Sequence, residues 1–241
     1  MRQSIMGRYE KPWQVVRQRI ADALAAAARP HDSVRLLAVS KTFPAEAVRA
    51  VHALGQRAFG ENYVQEAVAK KAVLADAPGV EWHLIGPLQS NKAAAAARCF
   101  DWIESVDRVR IADALSAARA GAASPLDVLV QVNVSGEGTK SGVAPEDAIV
   151  LARHVAALPN LRLRGIMGIP APAADPARLR REFAALRACY DACEDAGLAV
   201  DTLSMGMSAD LELAIAEGST EVRIGTAIFG EREKPVKARA S

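Results

Sequence analysis

A lysine placed directly after a hydrophobic run is the first residue whose position indicates chemistry. Lys41 follows LLAVS at 36–40, so its amine is expected where a buried strand ends, with apolar side chains beneath it. Apolar surroundings disfavour the ammonium form and leave a neutral amine, which can attack a carbonyl compound and form a Schiff base. A lysine that reaches solvent, or that pairs with Glu61, explains the same position equally well. Lys41 alone leaves both interpretations open.

Two short segments near the C-terminus have the composition of an anion-binding site. SMGMS at 204–208 and GT at 225–226 each follow a run of residues typical of a strand. Gly206 or Gly225 would let the backbone approach a ligand closely, and Ser208 is predicted to cap a helix that begins with ADLE. Backbone N–H groups at a helix start bind phosphate without help from a lysine. Capping and turn chemistry explain either segment alone, but both together favour a phosphate site.

These two features together indicate one class of ligand. A Schiff-base lysine reacts with an aldehyde and the loops would bind a phosphate, so we expect a phosphorylated aldehyde, with pyridoxal 5'-phosphate as the first candidate. The interpretation requires a fold that brings Lys41 close to both segments.

A regular alternation of strands and helices meets that requirement. Eight strands are predicted, at 35–40, 57–60, 81–86, 102–106, 126–134, 161–169, 200–204 and 221–225. One helical segment separates each strand from the next, and a longer helix from Tyr9 to Arg29 precedes the first strand. The pattern predicts an α/β fold, a single (β/α)8 TIM barrel, in which the C-terminal strand ends share one face.

The predicted barrel occupies the whole chain, 1–241, as one domain. Residues 1–30 are expected to form an extra N-terminal helix and residues 231–241 a charged C-terminal tail. Pro44 and Asp107 are expected to begin the helices after the first and fourth strands.

Composition argues against several classes of protein. Thirty basic and 28 acidic residues give a formal net charge of +2 and are spread along the chain, without the basic cluster that nucleic-acid binding needs. No apolar run reaches the roughly 18 residues of a membrane span, and no signal-peptide pattern begins the chain. Cys99, Cys189 and Cys193 form no CxxC pair and have no histidine at zinc-site spacing, so we expect no metal site and a reduced, cytoplasmic protein.

Six blocks of sequence resemble the pyridoxal phosphate homeostasis proteins, a family similar to the barrel half of alanine racemase without its second domain. They are LAVSK (37–41), FGENY (59–63), WHLIGPLQSNK (82–92), GTKSG (138–142), LSMGMSADLE (203–212) and VRIGTAIFG (222–230). The blocks extend over nearly the whole chain in a fixed order, which makes them more specific than any short motif. The resemblance implies fold type III binding of pyridoxal 5'-phosphate.

The resemblance also implies which residues bind the cofactor. In chain order they are Lys41, Asn62, His83, Met167, Ser204, Gly206, Ser208, Arg223, Gly225 and Thr226. Lys41 would form the Schiff base, and the three residues that follow it in this order would lie around the ring. The two serines, Gly225 and Thr226 would hold the phosphate, with Gly206 beside them. Arg223 would face the pyridine nitrogen.

Arg223 bears on whether the cofactor would be catalytic. A permanent cation against the pyridine nitrogen disfavours protonation of the ring and weakens it as an electron sink, so carbanion chemistry would be discouraged. If Arg223 instead pairs only with Glu221 or Glu231 at the surface, this inference lapses.

Three functions fit these residues. The first is a non-catalytic carrier that helps set the pools of vitamin B6 and amino acids, a monomer with PLP-dependent apoenzymes as candidate partners. The second is an amino-acid racemase, in which a tyrosine would supply the second base. Only Tyr63 among the three tyrosines lies near a predicted strand end, and no second domain is expected. The third is a Schiff-base aldolase for a phosphorylated sugar, whose lysine more often lies on a later strand. The sequence favours the carrier.

Overall fold

The chain folds into a closed barrel of parallel strands. The computed structural model describes residues 2–171 and 175–231, so all of the predicted charged tail except Glu231 lies outside the described residues. The strands are β1 (Arg35–Val39), β2 (Ala58–Glu61), β3 (Glu81–Leu84), β4 (Trp102–Val106), β5 (Leu126–Val132), β6 (Leu161–Gly168), β7 (Thr202–Ser204) and β8 (Glu221–Ile224). They are hydrogen-bonded in sequence order, and β8 pairs with β1 to close the barrel. The predicted (β/α)8 TIM barrel is confirmed.

Helices surround the barrel. In chain order they are α1 (Arg2–Ala26), α2 (Ala45–Ala53), α3 (Val64–Val73), α4 (Ala93–Cys99), α5 (Val109–Ala118), α6 (Ala148–Ala157), α7 (Pro176–Asp195), α8 (Leu211–Ala216) and α9 (Thr226–Phe229). Short 3-10 turns, Ser90–Lys92 and Pro145–Asp147, precede α4 and α6. No helix among the described residues is both long and apolar enough to cross a membrane.

The predicted strands begin close to the right residues, but several of them extend too far. The hydrophobic pattern continues past β3, β5 and β6, whereas the strands end at Leu84, Val132 and Gly168. Ile85, just beyond β3, and Ile169, just beyond β6, instead line a cavity at the end of the barrel. An apolar side chain in a cavity wall gives the same sequence signal as one in a strand.

The N-terminal helix differs from its prediction at both ends. α1 begins at Arg2 rather than Tyr9, so Pro12 lies in the helix interior, where proline lacks the backbone donor that a helix needs. It ends at Ala26, followed by a left-handed residue, Ala28, with φ 52°, and a bond from the Arg29 N–H to the Leu24 carbonyl. Glycine usually takes this position, so the sequence carries no clear stop signal.

Two predicted helix caps are wrong. α5 begins after Arg108, and Asp107 forms an ion pair with that arginine instead of capping the helix. α8 begins after Asp210, two residues later than the start expected with Ser208 as the cap. The Asp210 carboxylate accepts the Met207 N–H at 2.6 Å, which closes the turn that the cap was expected to close.

Candidate functional site

A cavity of about 560 Å³ lies at the C-terminal ends of the strands. Six of the ten predicted cofactor-binding residues line it: Lys41, Asn62, Ser208, Arg223, Gly225 and Thr226. Barrel closure between β1 and β8 brings the end of the first strand beside the end of the last one. The fold therefore places Lys41 and the two predicted phosphate segments around one space.

The remaining four predicted residues do not line this cavity. They are His83, Met167, Ser204 and Gly206. His83 and Ser204 are buried in the barrel, where each is hydrogen-bonded to Glu104, and Met167 packs against Trp102 and Leu129. Gly206 has φ 96°, and a Cβ there would lie 2.5 Å from the Ala214 Cβ, so packing alone requires a glycine. Of the four, Ser204 and Gly206 are hydrogen-bonded to Arg223, which does line the cavity.

Lys41 lies half-buried at the rim of the cavity. Its Nζ donates to Oδ1 of Asn62 at 3.4 Å, a long hydrogen bond that is easily exchanged for another partner. The neighbouring carboxylate of Glu61 is bound by Lys70 at 2.6 Å and by the Ser40 hydroxyl at 2.6 Å. Glu61 is thus held by Lys70 and Ser40, and Lys41 lines the cavity.

The cavity lining carries positive charge. Among the described residues, Lys41, Lys140 and Arg223 line the cavity, and no aspartate or glutamate does. The Lys140 Nζ is shielded from solvent and makes no hydrogen bond, and its ion pair with Glu137 is 3.5 Å long. A cation shielded from solvent and without a hydrogen-bond acceptor favours an anionic ligand.

Arg223 forms part of the cavity floor and is held in a fixed orientation. One Nη donates to the Ser204 hydroxyl at 2.7 Å, the other donates to the Gly168 carbonyl at 2.7 Å, and the backbone N–H donates to the Gly206 carbonyl. Burial lowers the pKa of the guanidinium below its ordinary value, and the nearby carboxylate of Glu104 opposes that change. Arginine stays charged in proteins, so the floor is a permanent cation.

A buried network of charges lies beneath Arg223. Nδ1 of His83 is 2.7 Å from Glu104 and Nε2 is 2.8 Å from Glu81, while the Ser204 hydroxyl joins Glu104 and Glu221. Burial alone would lower the pKa of His83, but the hydrogen bonds to the two carboxylates outweigh it and raise the pKa to about 9. His83 is therefore an imidazolium at neutral pH.

The two central carboxylates of this network differ in their pKa values. Burial, together with the charge of Glu104, raises the pKa of Glu221 to about 7. Burial alone would raise the pKa of Glu104, but the hydrogen bond to His83 and the charge of Arg223 lower it. The network thus combines a stable anion with a carboxyl that binds a proton near neutral pH.

His83, Glu104 and Glu221 are near enough to one another to resemble a metal site, since their ligand atoms lie within 4.8 Å. Both ring nitrogens of His83 are already hydrogen-bonded to carboxylates, and the guanidinium groups of Arg35 and Arg223 adjoin the cluster. Two fixed cations disfavour a third, and we interpret the cluster as a network of ion pairs.

Three contributions to this site were not predicted from the sequence. Lys140 belongs to the block GTKSG, but only the fold shows that it lines the same cavity as Lys41. Glu104 and Ser204 are 100 positions apart, and no local pattern links them. Lys70 lies on a helix with no predicted function, and its ammonium is bound behind the end of β1.

Comparison with known proteins gives consistent relationships. The family model for the alanine racemase N-terminal domain matches residues 15–233. The pyridoxal phosphate homeostasis protein of Pseudomonas aeruginosa is 57% identical over 218 residues, covering 90% of this chain and 93% of the relative. The protein of the same name from Escherichia coli K12 is 47% identical over 220 residues, covering 90% and 94%.

Solved structures extend the comparison. PipY of Synechococcus elongatus, solved with PLP bound, is 41% identical with a TM-score of 0.77, covering 88% of this chain and 100% of that one. An unknown protein from Bifidobacterium adolescentis is 39% identical with a TM-score of 0.89, covering 94% and 96%. Alanine racemase from Corynebacterium glutamicum, at 21% identity and a TM-score of 0.65, shares the fold, and this chain covers 62% of it.

The family match spans most of the chain, the identity to curated relatives is high, and the sequence resemblance is confirmed. The chain therefore belongs to the alanine racemase N-terminal domain family and, within it, to the pyridoxal phosphate homeostasis proteins.

Proposed function

We propose that this protein binds pyridoxal 5'-phosphate covalently and reversibly through Lys41 and acts in the homeostasis of that cofactor. The observation that carries the proposal is a single cavity that combines a rim lysine, a buried guanidinium and two hydroxyl-bearing segments, with three cations and no carboxylate among its described lining residues. The names of the curated relatives and the PLP-bound PipY structure support it.

The cavity suits this ligand chemically. When bound, the cofactor supplies an aldehyde, a phosphate dianion and a pyridine ring. The Lys41 amine would supply the nucleophile for that aldehyde, with loss of water, and the resulting bond would be reversible by hydrolysis. Ser208, Gly225 and Thr226 line the same cavity and would bind the phosphate through hydroxyl and backbone groups.

Arg223 makes the site a poor catalyst for reactions of amino acids. Its guanidinium is fixed by Ser204 and Gly168. Beside the pyridine nitrogen of a bound cofactor, it would disfavour a proton there. A racemase also needs a base on the opposite side of the ring. Tyr9 and Tyr190 are buried, and Tyr63 does not line the cavity. The geometry thus favours a carrier over a racemase.

Absorbance and peptide mapping test the covalent site. We expect the purified protein with added cofactor to show a visible absorbance band that borohydride removes, and the reduced mass increase to map to the peptide that contains Lys41. Lys71→Ala, on the outer surface of α3, is the control and should behave as the wild type does. A wild-type protein that takes up no cofactor, or carries it mainly at another lysine, would refute the proposal.

An activity assay tests the non-catalytic role. We expect no racemisation of a panel of amino acids above the rate given by free cofactor. Turnover well above that rate, lost in Lys41→Ala, would establish the racemase function instead. A colourless protein that cleaves a phosphorylated sugar would establish the aldolase.

The remaining aspects of the proposal concern the cellular setting. We propose that the protein acts as a cytoplasmic monomer and delivers cofactor to PLP-dependent apoenzymes. Sedimentation at several concentrations tests the monomer, and reactivation of an apoenzyme by the loaded protein, compared with the same amount of free cofactor, tests delivery.

A further inference from the structure

A buried lysine lies behind the end of β1, outside the cavity. Lys70 of α3 is only 5% exposed. Its Nζ donates to the Ser40 carbonyl at 2.8 Å, to the Glu61 carboxylate at 2.6 Å and to the Glu66 carboxylate at 2.8 Å. One ammonium therefore joins the end of β1, the end of β2 and the first turn of α3, and its three donors are all used.

The acceptors of Lys70 lead to both chain neighbours of Lys41. On the N-terminal side is Ser40, whose carbonyl accepts from Lys70 and whose hydroxyl donates to Glu61 at 2.6 Å. On the C-terminal side is Thr42, whose N–H donates to Glu66 at 2.6 Å. The residues immediately before and after Lys41 are thus held by the same charged cluster.

The backbone at Thr42 needs such restraint. Its φ is 71°, a left-handed conformation that a β-branched residue rarely adopts. A strained residue keeps its conformation only where the surroundings hold it, and such residues concentrate at functional sites. Here Glu66 holds the Thr42 N–H, and Lys70 in turn fixes Glu66.

Stability alone is a weak explanation for burying this lysine. A buried ion pair rarely stabilises a fold more than apolar residues of similar volume would, because both ions lose their hydration. The cluster instead fixes the relative positions of three elements, because each of them accepts a short, charge-assisted hydrogen bond from the Lys70 ammonium. Its three hydrogen bonds go to the ends of β1 and β2 and to the first turn of α3, around the segment that carries Lys41.

We propose that Lys70, with Glu61 and Glu66, is a positioning cluster that fixes the backbone on either side of Lys41 and thereby aims its amine into the cavity. The inference rests on the proposed covalent role of Lys41. The cluster itself does not touch the ligand, because Lys70, Glu61 and Glu66 do not line the cavity. Its removal should therefore loosen the tether without changing the cavity wall.

Lys70→Met in the full chain tests the proposal, because methionine keeps the volume and loses the three bonds. The matched control is Arg49→Met, which removes the ion pair from Arg49 of α2 to Asp76 and its bond to the Val73 carbonyl at the end of α3. Hydrogen exchange without cofactor gives the first measurement. The Thr42 N–H should exchange at least tenfold faster in Lys70→Met and at the wild-type rate in Arg49→Met.

Cofactor uptake gives the second measurement. We expect Lys70→Met to form the visible band at least tenfold more slowly and to need at least tenfold more cofactor for half-saturation, while Arg49→Met stays within twofold of the wild type. Glu66→Gln, which keeps an acceptor oxygen for Thr42, should retain most of the cofactor uptake that Glu66→Ala loses. This pair of variants isolates the acceptor for the Thr42 N–H, because the amide keeps it and the methyl group does not.

The results of these experiments distinguish the positioning role of Lys70 from the proposed function of Lys41. Wild-type exchange at Thr42 and wild-type uptake in Lys70→Met would overturn the positioning role. If the wild type takes up no cofactor, the proposed function fails, while the exchange rate of Thr42 still tests the cluster. If Lys70→Met does not fold, Glu66→Ala replaces it, because it removes the Thr42 acceptor and leaves the pair of Lys70 and Glu61 intact.

Discussion

At the scale of single residues, the hydroxyl groups of two buried serines contribute differently to the stability of the fold. The Ser204 hydroxyl donates to Glu104 at 2.7 Å and accepts from Arg223 at 2.7 Å, whereas the Ser105 hydroxyl is buried without a hydrogen-bond partner. A buried polar group stabilises a fold only when its partners are present. The two positions therefore predict opposite results for one substitution.

Ser204→Ala should lower the free energy of unfolding by roughly 1–3 kcal/mol, because it leaves charged partners unsatisfied in the barrel. Ser105→Ala removes a hydroxyl that makes no bond and should be neutral or slightly stabilising. Urea denaturation of both variants measures the difference. Equal losses in the two would show that the network around Ser204 adds nothing to stability.

The His83 network also predicts how stability depends on pH. The pKa of His83 is raised from 6.5 to about 9, so its contribution is full below pH 6.5 and is lost as the pH rises through 9. A shift of that size corresponds to about 3 kcal/mol. We expect the wild type to lose stability over this range and His83→Gln to show a shallower slope. His154→Gln, at an exposed pair with Asp113, is the control and should keep the wild-type slope.

Some residues of the site can be predicted from the sequence, and others cannot. Lys41, Ser208 and Gly225 follow strand-like runs, so the rule that barrel chemistry lies at strand ends finds them. Ser204 ends its predicted strand and His83 lies within another, but the side chains of both turn into the barrel interior, toward Glu104. Side-chain direction at a strand end depends on register with neighbouring strands, which sequence alone does not give.

At the scale of elements, the strand pair β5–β6 contains an irregularity centred on a glycine. Val128 pairs with Leu163 but Leu129 pairs with Gly165, so Arg164 is an extra residue that forms a bulge. Gly165 has φ 146°, and a Cβ there would lie 1.9 Å from the Thr202 carbonyl oxygen of β7. The close approach of β6 to β7 depends on the missing side chain.

Gly165→Ala should destabilise the barrel by about 3 kcal/mol or more, because the clash is with backbone and β6 or β7 would have to move. Gly55→Ala is a matched control, with φ 106° and open space around the added Cβ, and should cost roughly 1–2 kcal/mol for the backbone conformation alone. Denaturant midpoints of both variants separate the two effects. Equal losses would mean that β6 tolerates the side chain.

Boundaries of elements were the weakest part of the sequence prediction. The end of α1 at Ala26 is fixed by Ala28, which has a left-handed conformation. The start of α8 is fixed by the Asp210 carboxylate. Alanine is an uncommon residue at a left-handed helix end, where glycine is usual, and Asp210 is as good an N-cap residue as Ser208, so residue type does not choose between them. The existence and order of the strands were predictable because long apolar runs leave few alternatives.

At the scale of the whole molecule, α1 joins the first and last units of the barrel. It packs against α2 on the one hand and against α8 and α9 on the other, across the seam where β8 meets β1. Arg29, just after α1, donates to the carbonyls of Ile215 at 2.7 Å and Ser219 at 2.8 Å. The extra helix that the sequence predicted thus covers the place where the barrel closes.

Arg29→Ala should lower the free energy of unfolding by about 2 kcal/mol, because it leaves two carbonyls at the seam without their charged donor. Arg180→Ala is the control, since its ion pair with Glu217 is largely exposed and should contribute less than about 1 kcal/mol. Urea denaturation measures both. A loss no larger than that of the control would show that α1 does not secure the seam.

The cysteines have a practical consequence for labelling. Cys99, Cys189 and Cys193 are all buried and free, and burial raises the pKa of Cys193 to about 11. Since the thiolate is the form that reacts, maleimide dyes should modify the native protein slowly. A cysteine introduced at Val150, which is 66% exposed on α6, would then be the one rapidly labelled thiol. Fluorescence studies could therefore begin from the natural chain with every native cysteine in place.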